Sequence, residues 1–379
     1  MILAELYVPR VPLKLSISMI KLRINNTDCE APEGMTILKL ARSSGFTIPS
    51  LCYEEGLPHY SSCMACMVKD NKSNNFIPSC SALIQEGMDI DINGEEVVYL
   101  RKKAVEMLLS EHRAECEAPC KVVCPAGYNI PLMNRLLADG NFEGATGLSL
   151  LLTGNKEIAC INCPGYCENA CRRKKADLPV SIRNLQLFTY EISGNSRVGK
   201  SIPDPASLSE TSPVSKTSKK PAKRFSSHIG KLDESELKEW LKESSDNGHR
   251  MREISDNDSA VTESKSCMHC DCRAADDCRL RDLADELSIK DPRGKLVNSP
   301  IVKKINRNTG LIFENAKCIK CGLCVRLCEN LKEEPALCFI HRGFVSIISE
   351  PLTEEFDNIL KTRSKEVIDI CPTGALSRK

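Results

Sequence analysis

The chain is poor in aromatic residues, which fill 4% of its 379 positions and include a single tryptophan, Trp240. Cores built with so few large rings are lean, so something besides apolar burial is needed to hold a chain of this length together. A charge surplus is also missing, since 52 Lys+Arg face 51 Asp+Glu for a net charge of +1. That balance excludes the concentrated basic character of an obligate nucleic-acid binder. Long hydrophobic runs are absent from the start, MILAELYVPRVPLKLSISMI, which is broken by Pro9, Arg10, Pro12 and Lys14. A secretory signal needs ~7–15 unbroken apolar residues and a membrane span ~20, so neither is expected here. The expected location is the cytoplasm, where grouped thiols point to metal or redox chemistry rather than to disulfides.

Motifs of substrate chemistry are lacking as well. No Gly-x-Gly-x-x-Gly follows a strand pattern, and no hydrolase nucleophile elbow occurs. The run GNSRVGKS, Gly194 to Ser201, fits a phosphate-binding loop, but Pro203 and Pro205 follow at once and deny it the helix whose amino terminus would hold phosphate.

What the chain has is cysteine, 22 in all, with none between Arg172 and Ser266. The latter part of that gap is rich in Ser, Pro and Lys, a composition that cannot offset its ordering entropy by burial, and reads as a linker. Within it KLDESELKEWLKE has helical spacing of Leu237, Trp240 and Leu241, which suits local packing or docking on a partner. From Met19 onward an alternating pattern around Asn25-Asn26 suggests a hairpin followed by a helix, with DIDIN and VVYL as short strands closing the unit. Residues 101–113 read as a helix, and two helical patterns flank Asp139-Gly140-Asn141. The expected fold class is α+β and multidomain. Its parts are an extension (1–18), a unit led by the hairpin (19–100), an α-helical domain (101–193), a linker with a short helix (194–264) and a C-terminal domain (265–379).

The first thiol group, Cys52-x10-Cys63-x2-Cys66-x13-Cys80, supplies four soft ligands of the kind iron-sulfur clusters require. Zinc also accepts four cysteines, usually as two separated knuckles. LCYEEGLPHYSSCMACMV resembles the amino-terminal 2Fe-2S domain of the large iron-sulfur subunit of complex I and of multisubunit iron hydrogenases, although the first interval is longer than the plant-type x4. The second region pairs His112-x3-Cys116-x3-Cys120-x3-Cys124 with Cys160-x2-Cys163-x3-Cys167-x3-Cys171. CPAGYNIPLMNRLLADGNFEGA, CPGYCENACRR and PVSIRNLQLF resemble the two-cluster domain of the glutamate synthase small subunit and dihydropyrimidine dehydrogenase. That resemblance implies Cys116, Cys120 and Cys171 for one cluster and Cys124, Cys163 and Cys167 for the other. It further implies Gln186 as a fourth ligand to the second. For the first, His112 stands in a His-x3-Cys arrangement similar to the histidine-ligated cluster of complex I, with Cys160 as the competing ligand.

The third group, Cys267-x2-Cys270-x-Cys272-x5-Cys278, can wrap one 4Fe-4S cube in a single loop, with His269 and zinc as the alternative. The fourth, Cys318-x2-Cys321-x2-Cys324 with a remote Cys371-Pro372, has the bacterial ferredoxin spacing, and KCIKCGLCVRLC resembles that fold as it occurs in the same large subunits. Cys29, Cys328 and Cys338 are left as small buried hydrophobes. Together the resemblances imply a β-grasp 2Fe-2S ferredoxin-like domain over 19–100, an α-helical two-cluster domain over 101–193 and a C-terminal bacterial-ferredoxin-like domain with one or two 4Fe-4S clusters over 265–379.

These readings lead to a non-catalytic electron-transfer subunit with one 2Fe-2S cluster and about four 4Fe-4S clusters, serving an NAD(P)-linked oxidoreductase complex of the transhydrogenase, bifurcating or hydrogenase type. The resemblances imply NAD(P)-binding flavoprotein partners. One is an FMN subunit like that of complex I or hydrogenase, and another an FAD subunit like the glutamate synthase small subunit, with ferredoxin a further candidate. An iron-sulfur redox sensor and a zinc-bound scaffold are the other classes open to such a sequence.

Overall fold

The computed structural model describes residues 18–112, 116–153, 160, 162–195, 237, 241, 253–274, 277–289 and 303–379. The expected extension before residue 18, the GNSRVGKS run beyond Asn195, Trp240 and most of the linker lie outside the described residues. The architecture is mixed α+β, divided into two compact units.

The first unit holds the described residues 18–50 and 64–101. Strands β1 (Met19–Ile24) and β2 (Thr27–Pro32) pair antiparallel. Asn25 and Asn26, at φ 45° and 65°, form the tight turn between them, a left-handed pair that asparagine tolerates. Helix α1 (Ile37–Ser43) starts at Thr36, whose hydroxyl oxygen accepts the Lys39 N–H at 3.3 Å. With β3 (Met67–Asp70), β4 (Asn75–Pro78) and β5 (Asp89–Asp91) the sheet has five strands in the order β2-β1-β5-β3-β4, β1 and β5 running parallel. Ile24, Ile37, Leu38, Val68 and Ile90 are buried in its core.

VVYL is not a strand. It lies in helix α2 (Glu95–Glu111), because the Asp91 carboxylate accepts the N–H groups of Asn93 and Gly94 at 2.9 and 2.8 Å and turns the chain directly after β5. Burial then recurs every fourth residue at Val97, Arg101, Val105 and Leu109 while Val98 and Tyr99 are exposed, the pattern of a helix with one inward stripe.

The second unit holds residues 51–63 and the described residues from 102 on. Its helical part comprises α3 (Pro119–Val122), α4 (Ile130–Ala138), α5 (Phe142–Thr153), α6 (Tyr166–Asn169) and α7 (Ile182–Asn195). Asp139-Gly140-Asn141 separates α4 from α5, with Gly140 at φ 74° in a conformation few other residues adopt cheaply. Tyr128, Ile130, Met133, Leu137, Ala145, Leu185 and Phe188 form the core.

Ala260 joins this core from helix α8 (Asn257–Ser264), which follows an Asp256 capping box inside the stretch read as linker. The packed structure therefore resumes before residue 264. Leu237 and Leu241, one helical turn apart, pack against Met268 and Ala316, so this part of the linker covers its own chain. Helix α9 (Arg279–Glu286) follows.

Toward the C-terminus, β6 (Lys303–Ile305), β7 (Leu311–Glu314) and β10 (Leu376–Arg378) form an antiparallel sheet in the order β10-β7-β6. The hairpin of β8 (Cys338–Ile340) and β9 (Ile347–Ser349) and helices α10 (Leu323–Leu331) and α11 (Ser364–Asp369) complete it. Asn306 ties the sheet to the loop beyond by donating to the carbonyls of Phe356 and Ile359 at 2.8 and 2.9 Å. Among the described residues no helix is long and apolar enough to cross a membrane.

Candidate metal centres

The C-terminal thiols are gathered by a loop and a helix start. Cys318, Cys321 and Cys324 lie where the chain enters α10, with Gly322 at φ 71°. The Lys320 N–H donates to the Cys318 sulfur at 3.4 Å, and Lys320 itself adopts φ 54° to aim it. Burial pushes the Cys321 thiol up to about 12, and the neighbouring Cys371 and Cys318 thiolates add to it. The Cys324 thiol is raised as well, by burial and then by Cys318, Cys321 and Cys371. These four thiols therefore lie within electrostatic reach of one another. Cys328 is buried in the core with Leu311, Phe313 and Ile348, next to the same set.

The same local device occurs at Cys267-Met268-His269-Cys270. The His269 N–H donates to the Cys267 sulfur at 3.5 Å, with His269 at φ 45°. Cys120 on α3 and Cys171 complete this group, and all four thiols line one cavity beside Asn134 and Arg172. The Cys120 thiol is pushed well up by burial, then by Cys267, Cys270 and Cys171.

A third group consists of Cys124, Cys160, Cys163 and Cys167. Burial raises the Cys160 thiol to about 11, with Cys124 and Cys163 adding to the effect. Cys167, on α6, rises to about 12 through burial, Glu168 and then Cys124 and Cys160. Gln186 is buried on α7, and its carbonyl oxygen accepts a hydrogen bond from the Cys160 sulfur. The structure thus brings Cys160 to the side of Cys124, Cys163 and Cys167, with Gln186 beside Cys160.

A fourth group is assembled from both flanks of the helical part. The Cys272 N–H donates to the Cys116 carbonyl at 3.1 Å. Cys278 begins α9. The Cys116 thiol is pushed up by burial, then by Cys272 and Cys278. His112, just past the end of α2, is buried, and among the described residues neither ring nitrogen has a hydrogen-bond partner. Burial, and then the Lys317 ammonium, lower its pKa to about 4, so the imidazole is neutral and presents a lone pair. Lys317 is within electrostatic reach of Cys116 and Cys272 as well, and pairs with Glu314 at 2.5 Å.

The neighbours differ from those the spacing suggests: Cys120 and Cys171 lie with Cys267 and Cys270, and Cys116 lies with Cys272 and Cys278. The run from Cys267 to Cys278 parts at Asp271. The Arg135 guanidinium holds that buried carboxylate bidentately at 3.0 Å, with Cys267 and Cys270 on one side and Cys272 and Cys278 on the other. Spacing alone carries no trace of this division.

Cys66 and Cys80 are buried in the first unit, where Ser79 donates its N–H and hydroxyl to the Cys66 carbonyl at 3.2 and 2.7 Å. Cys52 and Cys63 are buried in the second.

The residues present suit iron-sulfur clusters. The buried imidazole of His112, four positions before Cys116, has a lone pair to offer a metal, and among the described residues its nitrogens are orphaned, which is otherwise costly. Main-chain N–H groups aimed at Cys267 and Cys318 stabilise thiolate sulfur. The backbone also leaves room, because a side chain on Gly374 would lie 2.2 Å from the Cys272 sulfur. Among the described residues no set of three or more His, Cys, Asp or Glu side chains is disposed around a single metal ion.

Comparison with known proteins adds independent findings. Residues 18–95 match a 2Fe-2S iron-sulfur cluster binding domain, residues 94–198 the 4Fe-4S cluster domain II of dihydropyrimidine dehydrogenase, and residues 311–377 the ferredoxin-like domain of NADH-quinone oxidoreductase subunit 3. The chain is 25% identical over 183 residues to the mitochondrial NADH-ubiquinone oxidoreductase 78 kDa subunit of Candida albicans, covering 43% of this chain and 25% of that protein. It is 29% identical over 119 residues to the gamma subunit of the NAD-reducing hydrogenase HoxS of Cupriavidus necator, covering 30% and 50% respectively. It is 34% identical over 104 residues to the NADP-reducing hydrogenase subunit HndD of Solidesulfovibrio fructosivorans, covering 26% and 18%. The chain thus spans half or less of the length of these relatives. It carries one 2Fe-2S domain, a 4Fe-4S domain and a C-terminal ferredoxin-like domain.

Proposed function

We propose that the protein is a multi-cluster electron-transfer subunit of an NAD(P)-linked oxidoreductase complex, working in the cytoplasm without substrate chemistry of its own. The observation that carries this reading is the sorting of buried and half-buried thiols into separate sets of cluster-ligand size. Four sets come from the second unit: His112, Cys116, Cys272 and Cys278; Cys120, Cys171, Cys267 and Cys270; Cys124, Cys160, Cys163 and Cys167; Cys318, Cys321, Cys324 and Cys371. Each suits one 4Fe-4S cluster. Cys52, Cys63, Cys66 and Cys80, by their spacing, hold a 2Fe-2S cluster in a β-grasp domain.

When bound, such clusters supply one-electron redox chemistry. The chain's own contribution is to bury the thiols, aim N–H groups at their sulfurs and place cations such as Lys317 beside them, all of which set reduction potential. In the Gln186 position we propose a hydrogen-bond partner for Cys160 rather than a metal ligand, since an amide is the weaker donor to iron and Cys160 already supplies a thiol. The partners we propose are flavoprotein subunits that exchange electrons with NAD(P), a reading supported by relatives named as NAD- and NADP-reducing hydrogenases and an NADH-ubiquinone oxidoreductase.

Iron, acid-labile sulfide and EPR on anaerobically purified protein test the reading. The expected result is one 2Fe-2S signal and several interacting 4Fe-4S signals on reduction. A colourless, zinc-loaded protein without labile sulfide overturns it in favour of a scaffold.

A further inference from the structure

Arg326, on α10, is fully buried, yet among the described residues its hydrogen-bond partners are all main-chain carbonyls. Its Nε donates to Gly322 at 3.2 Å, and Nη2 donates to Cys321 at 3.0 Å and to Cys52 at 2.8 Å. Nη1 donates to Pro58. The guanidinium also lies 4.7 Å from the centre of the Tyr60 ring. Carbonyl dipoles and an aromatic face solvate a cation without cancelling it, and a buried cation with no counter-charge is costly.

Two of those carbonyls belong to cysteines from different thiol sets. Cys52 lies in the 51–63 segment and Cys321 in the α10 loop, both within the second unit. Their sulfurs are close enough to sense one another, since the Cys52 thiolate is among the charges that raise Cys321, after burial and its own set. The nearby His59, stacked on Tyr53 at 4.7 Å, does not add a second cation, because burial and Arg326 itself hold its pKa down.

We propose that Arg326 is a positioning residue shared by two clusters, clamping the ligand loops of Cys52 and Cys321 together and offsetting the negative charge of both. This rests on the reading of Cys52 and Cys321 as cluster ligands given above. A cluster with four thiolates is anionic and becomes more so on reduction, so one guanidinium between two of them favours the reduced form of each. The hydrogen-bonded bridge from Cys52 carbonyl to guanidinium to Cys321 carbonyl also provides a short through-bond path. An electron lost on one side is gained on the other, with no bond made and no proton moved.

The test is an EPR-monitored redox titration of the full chain, comparing the unaltered protein with Arg326→Gln and Arg326→Lys. Arg326→Gln is expected to lower the midpoint potentials of the 2Fe-2S cluster and the Cys321 cluster together, with the remaining clusters unmoved. Arg326→Lys keeps the charge but cannot reach all four carbonyls, so a smaller parallel shift is expected. Full iron content with neither potential shifted, or only one, overturns the proposal. Should Arg326→Gln fail to take up iron, Arg326→Lys decides alone, by whether its two shifts are parallel. Unaltered protein without iron-sulfur signals would instead remove the reading beneath the proposal.

Discussion

The C-terminal thiol set and the His112 set achieve similar surroundings by opposite means. Cys318, Cys321 and Cys324 stand three residues apart in one loop, and a single distant residue, Cys371, closes the set. His112 and Cys116 stand before the helical part and Cys272 and Cys278 after it, and the fold brings Cys116 to Cys272 and Cys278 across that distance in sequence. The first is a property of a loop and the second of a domain. A loop-built set should be robust to changes elsewhere, whereas the domain-built set should report on the integrity of residues 117–271.

The strongest way to break this comparison is through paired cysteine variants. Cys116→Ser and Cys272→Ser are expected to delete the same 4Fe-4S signal, about four iron atoms per chain each. Cys120→Ser and Cys270→Ser should delete another signal, and Cys318→Ser a third. If Cys270→Ser and Cys272→Ser removed the same signal, the division at Asp271 would be wrong. Gly374→Ala sharpens the contrast, because the new methyl would meet the Cys272 sulfur at 2.2 Å. Overpacking of this kind costs about 1–3 kcal/mol. Thermal denaturation should show that loss, and the signal shared by Cys116 and Cys272 should weaken although the substitution lies three residues from Cys371. The smallest effect is expected from Cys328→Ala, which removes a sulfur packed among Leu311, Phe313 and Ile348. Iron content and every EPR signal should be unchanged, with a stability loss of about 1 kcal/mol.

What can be read from the sequence follows the same division. The Cys318 to Cys324 loop is legible because its geometry is set by neighbours along the chain, as is the Asn25-Asn26 hairpin. The pairing of Cys116 with Cys272 is not, since it is made by a main-chain hydrogen bond between distant segments. The Cys267 to Cys278 run looks like one loop because the residue that divides it, Asp271, gains its meaning only from Arg135 on α4. VVYL, all β-branched, aromatic or leucine, has the composition of a strand, and the turn at Asp91 overrides it. Helix α8 contributes a single small residue, Ala260, to the core, too little apolar surface for periodicity to register.

The hydrogen bond from Cys272 to Cys116 has a consequence for how the protein is made. Cys116 leaves the ribosome roughly 150 residues ahead of Cys272, which at ~5–20 residues per second is a wait of about 8–30 s. During that interval half a binding set is born without its other half, and a cofactor offered early meets an incomplete seat. Delivery to this seat must therefore follow synthesis of Cys278, while the Cys318 loop lacks only Cys371 when it emerges.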